Sequence, residues 1–107
     1  MNINSLGRVN VATPGTPVPL TTNRTLTASK LFVQVVPGLT GKTYLGGTVM
    51  TKATLAGVTR VLSPNSAGPS ENFFLEAQDG HNSIRLAEYA VDADVAGEGL
   101  LVTYWTE

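Results

Sequence analysis

Apolar and polar residues alternate along much of this chain with a period of two, which is the side-chain period of a pleated strand. Across residues 7–13, Val9 and Val11 alternate with Arg8, Asn10 and Ala12. The same reading predicts strands over residues 26–36, 43–51, 58–62, 71–78, 83–95 and 100–106. The first of these holds the longest apolar run, Leu31-Phe32-Val33-Gln34-Val35-Val36, and the second holds Gly46-Gly47 as an expected bulge. Pro17 and Pro19 confine residues 17–20 to a short edge segment, because proline cannot donate to a central ladder. Between these runs stand Pro14-Gly15, the polar residues 21–25, Pro37-Gly38, the loop of residues 63–70, Asp79-Gly80 and Ala96-Gly97-Glu98-Gly99. In residues 83–95, Ala87, Tyr89, Val91, Ala93 and Val95 form a wholly apolar side, opposite Leu86, Glu88, Ala90, Asp92 and Asp94. That pattern reads as one half-buried strand with a bend near Arg85. Its short glycine-containing link to residues 100–106 predicts a β-hairpin.

No segment repeats its apolar residues at helical spacing, and Thr and Val are abundant beside 11 glycines and 6 prolines. A chain of 107 residues is one domain. The expectation is an all-β, two-sheet antiparallel β-sandwich of about eight strands, of jelly-roll or immunoglobulin-like order. It spans residues 1–107, with residues 1–6 as a flexible N-terminal arm. Val33, Val35, Tyr89, Val91 and Val102 are expected to face inward on central strands.

Composition changes the picture at the surface. About 42% of the residues are hydrophobic but only 14% are charged, against about 25% in ordinary soluble domains. A surface so poor in charge suits a protein that is covered by others. The net charge of -1 and pI near 5.7 provide no basic field for nucleic acid. No apolar run approaches the ~18 residues of a membrane span, and Met1-Asn2-Ile3-Asn4 lacks the basic start of a signal peptide. With no cysteine there is no disulfide scaffold and no thiolate chemistry. The charge is also divided along the chain. Arg8, Arg24, Lys30, Lys42, Lys52 and Arg60 precede every acidic residue, and from Glu71 onward eight acidic residues face Arg85 alone. Pairing inside the fold and pairing across subunit or partner boundaries would both satisfy this order.

The candidate chemistry is sparse. His81, the only histidine, lies in Asp79-Gly80-His81-Asn82-Ser83, a turn too tight for a nucleophile, base and orienting acid. Asp92 and Asp94, with Glu98 beyond, could offer two or three oxygens to calcium, which needs six to eight. Their side of the strand is expected to be solvated or partner-facing. Gly38-x-x-Gly41-Lys42-Thr43 lacks the spacing and the following helix of a phosphate loop. The aromatic residues Phe32, Tyr44, Phe73, Phe74, Tyr89, Tyr104 and Trp105 are not interleaved with a basic stripe and read mainly as core. Phe73 and Phe74 are adjacent, so one of them needs a second surface. The reading therefore assigns no catalytic residue, no cofactor and no metal. Arg8, Arg24, Asp92, Asp94 and Glu98, from the charge division, and Phe73 are the candidate partner-binding residues. Charge reversals such as Arg8→Glu or Asp92→Lys are expected to weaken attachment and leave thermal stability nearly unchanged.

Several stretches taken together are similar to a known group. They are the opening Gly7-Arg8-Val9-Asn10-Val11-Ala12-Thr13-Pro14-Gly15-Thr16-Pro17-Val18-Pro19-Leu20, the later Gly41-Lys42-Thr43-Tyr44-Leu45-Gly46-Gly47, and the closing run from Leu86 to Asp94 followed by Gly97-Glu98-Gly99-Leu100-Leu101-Val102-Thr103-Tyr104-Trp105. Their order resembles the small structural proteins of tailed bacteriophages, above all capsid decoration (cement) proteins. The resemblance implies a small β-sandwich, often a jelly roll, with a non-enzymatic role on the outside of an assembled capsid. It implies the major capsid protein as partner, synthesis in the host cytoplasm, and a place on the virion. Scarce exposed charge, with Trp105 and Phe73/Phe74 in excess of one small core, predicts in addition a homo-oligomer, a trimer before a dimer. A head-tail or tail accessory protein, and a soluble ligand- or carbohydrate-binding β-sandwich, are the alternatives.

Overall fold

The computed structural model describes residues 2–36, 40–64, 71–77 and 81–106. Its strands are β1 (Asn2–Asn10), β2 (Val18–Pro19), β3 (Thr27–Ala28), β4 (Lys30–Val35), β5 (Thr43–Thr51), β6 (Ala56–Leu62), β7 (Asn72–Glu76), β8 (Ile84–Arg85), β9 (Tyr89–Ala93) and β10 (Gly99–Thr106). Every pair is antiparallel. One sheet runs β1-β10-β4-β7 and the other β2-β9-β5-β6, while β3 and β8 form a separate two-stranded bridge. Setting that bridge aside leaves eight strands, and counted in chain order they lie 1-8-3-6 and 2-7-4-5. That is the double Greek-key order of a jelly roll.

Alternation explains which residues lie between the sheets. On β4, Leu31, Val33 and Val35 are buried while Lys30, Phe32 and Gln34 are half-buried on the other face. Val9, Leu100 and Val102 complete that inner layer, and Leu45, Leu62, Val91 and Ala93 come from the facing sheet. Val33, Val35, Val91 and Val102 are thus buried, and Tyr89 packs partly buried against them.

The predicted hairpin between the last two strands does not form, because β9 and β10 belong to different sheets. The link instead crosses from one sheet to the other. At the crossing, Gly97 donates to the Val11 carbonyl and Val11 to the Glu98 carbonyl. A Cβ on Gly99 would overlap the Val9 carbonyl oxygen, so only glycine lets β10 start this close to β1. Residues 83–95 are not one strand either. A 3-10 turn over Leu86–Glu88 separates β8 from β9 and buries Leu86, which the alternation had placed on the polar side. Val95 lies past the strand end and is exposed. Residues 26–36 likewise break at Ser29, whose backbone N–H and hydroxyl both donate to the Trp105 carbonyl.

The expected flexible arm is replaced by strand. β1 begins at Asn2 and pairs with β10 from Asn2↔Thr106 onward, through a bulge between Ser5 and Gly7. The expected bulge at Gly46-Gly47 is present, since the β5–β6 register shifts on both sides of Gly46. Pro37-Gly38, Asp79-Gly80 and most of the loop over residues 63–70 lie outside the described residues.

Candidate functional site

The outward face of the β1-β10-β4-β7 sheet carries a group of apolar side chains outside the core. Register places Ile3, Trp105, Lys30 and Glu76 side by side across its four strands. The next row is Ser5, Thr103, Phe32 and Phe74, and beyond it come Arg8, Leu101, Gln34 and Asn72. Ile3 is 69% exposed and Phe74 46%. The Phe74 and Trp105 rings lie 6.0 Å apart between centroids, tilted by 53°, within the range where aromatic pairs attract. Phe73 is not part of this face. It turns inward against the core, with the Arg60 guanidinium 5.7 Å from its ring centroid. Of the two adjacent phenylalanines, Phe74 is the outward one. Phe73 shares the face of buried Val33, so the second surface that one of the two rings needs is the outward one, at Phe74.

The charged candidates are mostly engaged within the chain. Glu98 is buried, and its carboxylate accepts from the Thr40 N–H at 3.0 Å, the Thr40 hydroxyl at 3.1 Å and the Gly41 N–H at 2.9 Å. Burial alone would raise its pKa, but those hydrogen bonds and the charge of Arg8 outweigh it and hold Glu98 below its ordinary value. Arg8 itself donates to the Gly97 carbonyl at 3.1 Å and to the Asn10 side chain. Asp92 is fully buried rather than on a solvated face. The Thr13–Thr16 turn folds over it, and its Oδ1 accepts from the Gly15 N–H at 3.0 Å and the Ala93 N–H at 2.8 Å. Its Oδ2 has no hydrogen-bond partner among the described residues.

Asp94 accepts from the Tyr44 hydroxyl at 3.0 Å and pairs with Lys52 at 3.2 Å. Burial first, then the Asp94 hydrogen bond and the Asp94 and Asp92 charges, push the Tyr44 pKa up. Asp92 and Asp94 thus have different surroundings: one is clamped under a turn and the other pairs with Lys52. Among the described residues no group of three or more His, Asp or Glu side chains assembles for a metal ion. The Lys52–Asp94 pair and the Arg8–Glu98 approach join the basic and acidic portions of the sequence inside one chain.

Arg24 is the exception. It is exposed and lines an open cleft of about 540 Å³ with Pro19, Thr21, Thr22, Arg85 and Glu88. Arg85 and Glu88 are loosely paired there at 3.8 Å. His81 and Ser83 sit exposed in a bend, with Asp79 outside the described residues.

Sequence reasoning missed the Ile3, Phe32, Phe74 and Trp105 face as a unit. In residue order Phe32, Phe74 and Trp105 fall among the core aromatics and Ile3 in the N-terminal arm, and only the register shows that the four fall in adjacent rows of one face. Among the described residues no helix is long and apolar enough to cross a membrane. Comparison of the chain with protein-family models, with curated proteins and with solved structures returned no match.

Proposed function

We propose that this chain is a structural, non-enzymatic binding protein that attaches to the outside of an assembled bacteriophage capsid and stabilises it. The observation that carries the binding role is the outward apolar face of the β1-β10-β4-β7 sheet, on which Ile3 and Phe74 are exposed and Phe32 and Trp105 half-buried. Contiguous apolar surface of this kind on a small domain marks a contact surface. Its rim of Lys30, Glu76, Arg8, Gln34 and Asn72 has the polar character of an interface edge. The jelly roll is compatible with virion and with sugar-binding roles alike, so fold does not choose between them. The capsid as the assembled surface rests on the sequence resemblance.

Purified protein incubated with expanded capsids that lack it, then sedimented, tests this directly. The wild-type chain is expected to co-sediment, and Ile3→Ser/Phe74→Ser to stay in the supernatant with a stability loss of about 1 kcal/mol or less, the ring pair being the main contact removed. A wild-type chain that stays in the supernatant overturns the capsid reading. The cleft lined by Arg24, Arg85, Glu88, Thr21, Thr22 and Thr48 favours a second reading, a soluble sandwich binding a small hydroxylated or anionic ligand. Amide shifts confined to residues 19–24 and 85–88 on titration with sugars or sugar acids would select it.

A further inference from the structure

A jelly roll has four sheet edges, and three of them are blunted here. β2 has two residues, contains Pro19 and follows Pro17. β7 is five residues long, with Glu71 before it and Glu76 at its end. β6 carries Arg60 and starts from a twisted backbone, with φ of 63° at Leu55 and 75° at Gly57. Short strands, proline, inward-turned charge and local twist are the devices by which natural sheets avoid joining edge to edge.

β1 has few of these devices. It is nine residues long and pairs on one side with β10, and no other described strand pairs with it. It contains no proline, lysine or acidic residue. Its one charge, Arg8, is drawn towards Gly97 and Asn10 of its own chain. The bulge between Ser5 and Gly7 leaves Asn2–Ser5 as an uncharged, exposed half of the edge.

We propose that Asn2–Ser5 pairs antiparallel with the same segment of a second copy across a two-fold axis, joining two four-stranded sheets into one of eight. The absence of charge argues for a second copy as the occupant. Isologous pairing sets every side chain of the segment beside those of its own duplicate, and like charges facing each other across a sheet are destabilising. A two-fold axis perpendicular to the sheet also keeps both apolar faces on one side, so that the rows containing Ile3 and Trp105 become continuous across the seam. A segment this short makes a weak dimer, formed at high concentration.

The test needs no capsid and is therefore independent of the proposed function. Sedimentation equilibrium of the purified chain should give a concentration-dependent dimer, and hydrogen exchange should slow at amides of residues 2–5 as concentration rises. Asn2→Lys/Asn4→Lys places like charges at the seam and leaves Ile3 in place; it should weaken self-association by roughly tenfold or more. Asn2→Glu/Asn4→Glu should do the same, and an equimolar mixture of the two variants should restore the dimer. Because that rescue requires folded chains, a mixture that fails to dimerise while both variants keep the wild-type melting temperature overturns the proposal. A wild-type chain that is monomeric at millimolar concentration, or trimeric, overturns it too.

Discussion

Glu98 and Asp92 do similar work by similar means. Each carboxylate reaches from the β9–β10 region to hold a loop by backbone N–H donors: Thr40 and Gly41 for Glu98, and Gly15 of the Thr13–Thr16 turn for Asp92. Removing such an acceptor leaves partly buried donors without partners, at about 1–3 kcal/mol. Asp92→Ala should therefore lower unfolding free energy by that amount in a urea melt. Asp92→Lys would bury a cation among backbone donors and should prevent folding, which replaces the expectation that this reversal leaves stability unchanged. Glu98 also predicts a pH dependence. Its folded-state pKa lies below the unfolded value of about 4.3, so its contribution is fully present above that value. The contribution is lost as pH falls through the lowered folded value. Melting temperature measured from pH 6 to pH 3 should fall for the wild-type chain, and the fall should be shallower for Glu98→Gln.

β9 and β10 show why element-level patterns mislead where a strand is covered on both sides. Val91 and Ala93 face the inter-sheet core. On the other face Ala90 joins Tyr44 and Met50 in a second small cluster, flanked by Val58 and Val61, and Asp92 lies under the turn. Alternation in sequence marked that second face as solvated because of its aspartates. Val91→Ala or Val102→Ala should cost about 1–3 kcal/mol, from lost burial and the cavity left behind. Gly99→Ala should cost at least as much although it adds only a methyl group, since the obstacle is the Val9 backbone and cannot rotate away. Comparison of the three variants by chemical denaturation checks this order, and a benign Gly99→Ala would mean that the crossing is wider than described.

At the scale of the molecule, the chain's two ends lie side by side: Asn2 pairs with Thr106, and β10 then pairs with β4. Closing the first sheet thus needs contacts between residues almost a full chain length apart. Such non-local topologies fold in milliseconds to seconds rather than microseconds, and stopped-flow fluorescence of Trp105 should report a main refolding phase in that range. The same closure makes the salt response of the molecule informative. Lys52 and Asp94 are 23% and 39% exposed at their side chains, so their pair contributes about 1 kcal/mol or less. Lys52→Ala should shift the melting temperature little, and attachment driven by the apolar face should depend only weakly on salt between about 0.05 and 0.5 M, a range over which exposed charges are progressively screened.

Fold class, the turn at Pro14-Gly15, the bulge at Gly46-Gly47, the prolines' confinement of residues 17–20 to an edge, and the buried side of β4 were all legible in residue order. Each depends on local sterics or on a period-two pattern that acts within a few residues. The partnership of strands was not legible. A glycine-containing link between two alternating strands serves a hairpin and a sheet-to-sheet crossing equally well, and what selects the crossing is the approach of Gly99 to Val9, 90 positions away in the chain. The same holds for the functional surface. Ile3, Phe32, Phe74 and Trp105 read singly as core aromatics or stray apolar residues, and register alone brings them onto one face. Charge order behaved likewise, because a residue's sign is local but its burial is not: Asp92 and Glu98 lie inside the fold, where only tertiary packing could place them.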